Sequence, residues 1–181
     1  MAHLLAAGER GVTRSHADPA AFERFWQPHR ARVWRLVARL AGSVDLADDL
    51  TQEVSLRAFQ GFGAFRRGAS GYTWLYCIAV NVVLRHRERL VPDTVSWDSA
   101  FQVVDPSLNP QAALLQSETR PIVWAALGRL PEEQRTTIIL SVYEELKYRE
   151  IAAVLEIPLG TVKSRLHVGM ARLREELKDA L

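Results

Sequence analysis

The segment YREIAAVLEIPLGTVKSRLHVGMARLR, from Tyr148 to Arg174, decides the architecture. It holds two helical patterns, Tyr148 to Leu155 and Leu159 to about Leu177, broken by Glu156-Ile157-Pro158. A short helix, a brief turn and a second helix carrying Thr161, Lys163, Ser164, Arg165 and His167 in its first turns form the helix-turn-helix layout. The second helix of that layout enters the major groove of duplex DNA. From Ile157 to Arg174, a span that includes Arg172, there are four bases and no acid. A plain helical hairpin is the alternative reading of the same pattern.

Upstream of this segment the period stays helical. Pro131 opens a helix through Tyr143, and Asn109-Pro110 opens one that reaches about Leu130 with a bend at Pro121. In the first half, Asp18-Pro19 reads as a cap followed by proline at the first helical position. Phe22, Trp26, His29, Val33, Leu36 and Leu40 then recur at helical steps up to Gly42. Ser43 caps a second helix from about Val44 to Gly61, with Leu46, Leu50 and Val54 on one face. A third runs from about Tyr72 to Leu90, with Trp74, Ile78 and Val82 inward. Residues 91–109 mix Pro, Asp, Ser and Asn without period and read as an acidic, flexible linker. The expected fold is all-α: a tail over 1–17, a three-helix domain over 18–90, the linker, and a helix-turn-helix domain over 110–181.

The 181 residues carry a formal charge of +2, and the balance is uneven along the chain. Residues 1–90 hold 13 Arg against 8 acids, residues 91–117 hold three Asp and no base, and residues 118–181 hold 10 of each sign. The single cysteine, Cys77, excludes an internal disulfide and argues for a reducing compartment. No apolar run reaches the roughly 18 to 20 residues of a spanning helix, and Met1 to Gly11 is too short for a signal peptide, so a cytoplasmic protein is expected.

Two constellations in the first half carry chemistry. Val54 to Arg87 has no acid but contains Arg57, Arg66, Arg67, Arg85 and Arg87, interleaved with Phe59, Phe62, Phe65, Tyr72, Trp74 and Tyr76. Unpaired bases stack on aromatic faces, at about 1 to 3 kcal/mol each, while arginines neutralise phosphates, so this mixture suits a single-strand platform. Core packing is the competing reading for Trp74 and, more so, for Phe59. Asp45, Asp49 and Glu53 lie four apart on one helix face, with Asp48 and Gln52 beside them. Like charges at that spacing repel, so the row either is a solvated face or meets a cationic partner. A metal site fits it less well, because one straight helix cannot enclose an ion.

Four motifs in order resemble a known family. They are Ala47-Asp48-Asp49-Leu50-Thr51-Gln52-Glu53-Val54, Trp74-Leu75-Tyr76-Cys77-Ile78-Ala79-Val80-Asn81, Leu130-Pro131-Glu132-Glu133-Gln134-Arg135, and Glu150-Ile151-Ala152 with Gly160-Thr161-Val162-Lys163-Ser164-Arg165-Leu166. From about Ala21 to Leu181 the chain resembles an extracytoplasmic-function (ECF) sigma factor, the small two-domain branch of the bacterial sigma-70 family. The resemblance implies that Asp45, Asp48, Asp49, Gln52 and Glu53 contact the coiled coil of the largest subunit of core RNA polymerase. It implies that Phe62, Phe65, Arg66, Arg67, Tyr72, Trp74, Asn81 and Arg85 hold the non-template strand of the start-proximal promoter element. Thr161, Lys163, Ser164, Arg165, His167 and Arg172 would read the upstream element. An anti-sigma factor is a further partner that the resemblance admits. The chain departs from the family pattern at Ser55, Cys77, Arg85, Lys147 and Val168-Gly169. Glu156 replaces the usual turn glycine, which favours a turn built differently, since a non-glycine residue in the left-handed region costs about 1 kcal/mol.

The first functional expectation is a promoter-specificity subunit of RNA polymerase, monomeric when free, with no cofactor, no metal and no catalytic residue. The alternative is a stand-alone dimeric helix-turn-helix regulator, which would leave the single-strand platform without a use. An enzyme finds little support. His3, His16, His29, His86 and His167 form no metal-ligand spacing, Cys77 has no catalytic histidine nearby in sequence, and no glycine-rich phosphate loop opens a helix.

Overall fold

The computed structural model describes residues 18–65, 70–89 and 119–178. The expected tail, the linker and its flanks, Arg66 and Arg67 lie outside these residues. Helix α1, Pro19–Ala41, is capped by the Asp18 carboxylate, which accepts from the Ala20 amide at 3.0 Å. It ends at Gly42, whose φ of 75° is the left-handed conformation that glycine adopts without a Cβ penalty. Helix α2, Ala47–Phe62, starts three residues later than the pattern suggests. Ser43 accepts from the Leu46 amide at 3.4 Å in a turn that precedes the helix. Helix α3 is Gly71–Glu88.

In the second half, α4 is Thr119–Arg129, with Pro121 in its first turn as helix sterics permit. The helix expected from Pro131 through Tyr143 divides: α5, Glu132–Ile138, passes into a π-helical turn, Ile139–Tyr143. Helices α6, Tyr148–Leu155, and α7, Leu159–Lys178, form the helix-turn-helix. Lys147 cannot act as a side-chain acceptor at the start of α6, and the Glu150 carboxylate instead reaches back to the Lys147 amide at 2.8 Å. The expectation of a differently built turn is corrected. Glu156 takes the left-handed conformation itself, at φ 53° and ψ 39°, and its amide donates to the Ala152 carbonyl. Closing the α6 ladder outweighs the local strain.

Helices α1, α2 and α3 enclose one apolar core built from Phe22, Trp26, Val33, Leu36, Leu50, Val54 and Leu75. The same apolar cluster continues through Trp124, Leu127, Ile138, Ile151, Val162 and Leu166, which join α4 to α7. Gly169 is buried where α7 crosses α5. A Cβ there would stand 3.0 Å from Ile138 and 3.1 Å from Gln134, so a larger residue would require α5 to give way by a few tenths of an ångström.

The inward face of α3 is wider than Trp74, Ile78 and Val82 alone. Leu75, Tyr76, Ala79, Val80, Val82 and Val83 are all buried, because α6 covers the side of α3 that α1 and α2 leave open. The two domains therefore pack on each other. At that junction Glu144, 4% exposed, takes an ion pair from Arg39 of α1 at 2.7 Å and a hydrogen bond from the Tyr76 hydroxyl. Removing one partner of such a pair costs about 3 to 5 kcal/mol, because the other charge is left buried and unmatched.

Candidate nucleic-acid interface

The aromatic residues between α2 and α3 form one cluster, and α1 supplies its floor. Phe65 stacks on Trp74 with ring centres 4.6 Å apart. Phe25 of α1 lies 5.2 Å from Phe62, 5.4 Å from Phe65 and 5.9 Å from Trp74. One glycine, Gly71, permits this closeness. A Cβ on Gly71 would meet the Phe25 ring at 2.7 Å, and one on Gly61 would touch Trp74 at 3.4 Å. Phe62, Phe65 and Trp74 are half-buried, and Phe65 lies between the near-parallel rings of Trp74 and Phe62. The packing reading holds for all three rings, each of which touches another aromatic of the cluster. Phe59 belongs to the core side, edge-on to Phe22 at 5.3 Å. His29 sits against Phe25, and burial together with the Arg32 charge holds its pKa below the usual value.

Tyr72 stands apart from that cluster. Two residues along a helix turn the side chain by about 200°, and Tyr72 follows Tyr76 toward the C-terminal domain instead of following Trp74. The Arg32 guanidinium covers its ring at 5.2 Å, and its hydroxyl donates to Glu150 of α6. Asn81 and Arg85 are exposed farther along α3, the Asn81 amide donating to the Cys77 carbonyl at 2.9 Å.

Asp45 lies in the turn before α2, so the expected row of three on one helix face reduces to Asp49 and Glu53; Asp45, Asp48, Asp49 and Gln52 are exposed and Glu53 is half-buried. Two of these residues find partners within the domain: Asp48 accepts from the Trp34 indole at 2.8 Å, and Glu53 pairs with Arg57 one turn on. Asp45 and Asp49 form no ion pair among the described residues. Leu56, 58% exposed, prolongs the row by one turn, so the face combines carboxylates with an uncovered apolar side chain.

Helix α7 holds the other set. Lys163, Ser164, His167 and Arg172 are exposed, whereas Thr161 and Arg165 are half-buried. The Ser164 hydroxyl donates to the Thr161 carbonyl at 3.0 Å, and Arg165 pairs with the exposed Glu133 at 2.8 Å. Arg172 approaches Gln134 at 3.4 Å. The opposite face, Val162, Leu166, Gly169 and Leu173, is buried, which leaves the polar face free to lie along a groove.

Family models match both halves in chain order: Sigma-70 region 2 over residues 25–91 and Sigma-70, region 4 over residues 120–173. The chain is 34% identical over 173 residues to the RNA polymerase sigma-H factor of Pseudomonas aeruginosa, covering 91% of this chain and 88% of that one. It is 31% identical over 171 residues to the ECF RNA polymerase sigma factor SigW of Bacillus subtilis, covering 90% and 91%. The chain belongs to the sigma-70 family, in its ECF branch. Among solved structures, this sigma factor is similar to the sigma factor RpoE in complex with the anti-sigma factor NepR from Bartonella quintana. The TM-score is 0.66 at 27% identity, over 87% of this chain and 97% of the other. The match to region 2 does not favour a stand-alone regulator, whose helix-turn-helix would need no such domain.

Four residues of this sigma factor that sequence reasoning passed over shape the interfaces. Phe25 and Trp34 lie off the apolar stripe of α1, and a large aromatic in such a position was the available signal. Arg135 is buried and donates to the Gly128 and Leu130 carbonyls at 3.1 and 2.9 Å, satisfying the C-terminal end of α4. Burial and the neighbouring Arg87 charge lower its pKa to about 10. Glu144 gave no local signal, because its partner Arg39 is 105 residues away.

Proposed function

We propose that this chain binds core RNA polymerase through α2, reads the upstream promoter element with α7, and holds the unpaired non-template strand of the start-proximal element on the rings around Phe65 and Trp74. The observation that carries this reading is the half-packed aromatic cluster. A protein that binds only duplex DNA has no use for stacking area, whereas strand opening at roughly 1 to 2 kcal/mol per base-pair step must be offset by capture of the unstacked bases. Asp45, Asp48, Asp49, Gln52 and Glu53, with Leu56 at the end of the row, supply the polymerase surface. Arg66, Arg67, Asn81 and Arg85 serve the phosphates and base edges of the captured strand.

The domain limits follow the same reading: a polymerase-binding and strand-capturing unit over 18–90, a linker over 91–109, and an upstream-element reader over 110–181. The protein acts in the cytoplasm without catalysis of its own. No helix among the described residues is long and apolar enough to cross a membrane. The anti-sigma-bound relative supports an anti-sigma factor as a second partner. The test is reconstitution. Core polymerase with this chain should initiate at a small set of discrete sites on genomic fragments, each with an upstream and a start-proximal element in fixed spacing. Initiation indistinguishable from core polymerase alone rejects the reading.

A further inference from the structure

Trp34 sits at the side of α1 and not on its buried stripe. Val33, Leu36 and Val37 are buried around it, while Trp34 is half-buried, its ring packed against the edge of the core. An indole carries one donor and no acceptor. That donor goes to Asp48 of α2 at 2.8 Å, across 14 residues of sequence. Asp48 is the second residue of α2, and the helix start has Leu46 at its N-cap and no side-chain cap. A carboxylate in a first turn is drawn to the unpaired amides of the helix end, where the dipole favours it. Here the carboxylate turns sideways to α1 instead. Asp48, Gln52 and Leu56 recur at four-residue steps and are all exposed, so Trp34 stands beside the first member of an open line along α2. Asp49, one residue on, is exposed and forms no ion pair among the described residues.

We propose that Trp34 is a positioning residue of the polymerase-binding surface: its indole N–H holds one oxygen of Asp48 and leaves the other to meet a cationic group of core polymerase in a fixed direction. An aspartate on an open helix face samples several rotamers, and fixing one of them on binding costs free energy. A ring packed against the core has little freedom, so a donor carried on it sets the rotamer of Asp48 before the partner arrives. The surface therefore includes α1 as well as α2. The role of Trp34 rests on the reading of α2 as the polymerase surface, and the experiment separates the two.

The experiment measures the affinity of the full chain for core RNA polymerase, by competition with labelled wild-type chain, after the urea midpoint of each variant has shown it to be folded. Trp34→Phe keeps a ring and removes the N–H. It should weaken binding about threefold to tenfold, and Asp48→Ala should weaken it about tenfold. The double variant should bind no more weakly than Asp48→Ala alone, since the indole has nothing left to aim. Combined with Asp49→Ala, by contrast, the Trp34→Phe loss should persist in full. The loss should also shrink as salt is raised, although the substitution changes no charge, because what it misdirects is a charge. Asp48→Glu leaves Trp34 untouched and keeps the charge at a different reach. It should bind about threefold or more weakly than wild type.

An equal loss from Trp34→Phe with and without Asp48, or a loss that salt leaves unchanged, overturns the positioning role, because the ring then acts by packing or by direct contact. A loss for Asp48→Ala with none for Trp34→Phe overturns it as well. Asp48→Glu binding as tightly as wild type does the same, since charge alone would then suffice, and this variant decides without relying on the stability of Trp34→Phe. Unchanged affinity in Asp48→Ala alone removes Asp48 from the interface and with it the role of Trp34. Failure of the polymerase reading has a separate signature: Asp48→Ala, Asp49→Lys and Glu53→Lys would all bind core polymerase like wild type.

Discussion

On the proposed reading, the aromatic cluster of the N-terminal domain and helix α7 of the C-terminal domain meet DNA by opposite designs. Phe62, Phe65 and Trp74 are themselves part of the packing, with Phe25 and Gly71 shaped around them. Lys163, Ser164 and His167 stand on an exposed face of α7, and its core contacts are made by Val162, Leu166 and Leu173. The proposed binding is therefore coupled to folding in the first region and separable from it in the second. The difference follows from the targets. A flat base needs a rigid apolar surface held at a fixed angle, and packing supplies that rigidity. A duplex groove needs polar groups on a straight rod, which any helix with one apolar face provides.

Charge reversal on the exposed acidic face of α2 tests whether exposure, and not the domain, governs this separation. Changing Asp49 and Glu53 together to Lys should weaken binding to core polymerase by about 2 to 5 kcal/mol, as for charges desolvated against a cationic partner. The urea midpoint should move little, because Asp49 is exposed and the Glu53–Arg57 pair lies at the surface. Unchanged polymerase affinity would remove α2 from the interface.

Trp74→Ala should lower the stability of the N-terminal domain by about 2 to 4 kcal/mol in urea unfolding, since it empties the space between Phe65, Phe25 and Gly61. A loss below about 0.5 kcal/mol would mean that the ring is an appendage and that the coupling claimed for this region is absent.

In α7 the effects should be confined to binding. Arg165→Ala should cost about 1 to 3 kcal/mol in upstream-element affinity and relax selectivity at one base, whereas Lys163→Ala should weaken all sequences alike. A panel of upstream elements measured at fixed salt distinguishes the two. Identical profiles would show that neither side chain reads a base. The smallest effect is expected at the turn. Glu156→Gly should raise thermal stability by up to about 1 kcal/mol, by relieving the left-handed conformation of a residue with a Cβ. A fall in stability would indicate that the side chain of Glu156 contributes more than its backbone strain costs.

The helices themselves were legible because their signals are local. Asp18-Pro19, Gly42 and the apolar steps of α1 fix its ends and its buried face, and Ile157 to Arg174 states the recognition helix by charge and period. Three features were not legible, each for a physical reason. The π turn at Ile139–Tyr143 keeps the apolar spacing of a helix, so periodicity cannot separate it from a continuous α5. Glu144 and Arg39 look like solvated charges until the fold brings them to 2.7 Å. Tyr72 and Trp74 share one aromatic stretch in the sequence, yet the helical turn sends one toward the C-terminal domain and the other into the cluster on α1. Local pattern reports which residues are apolar and where helices stop. It carries no record of which helix covers which face.

Transcription from paired templates is the most direct test of the claim that the two regions act on different forms of DNA. Core polymerase with wild-type chain, Phe65→Ala or Arg165→Ala is compared on a duplex promoter and on one mismatched over the start-proximal element. Phe65→Ala should lose much more activity on the duplex than on the pre-opened template, because mismatching removes the opening cost that stacking offsets. Arg165→Ala should lose by the same factor on both, since the upstream element is duplex in each. Equal losses for Phe65→Ala on the two templates would contradict strand capture by the aromatic cluster.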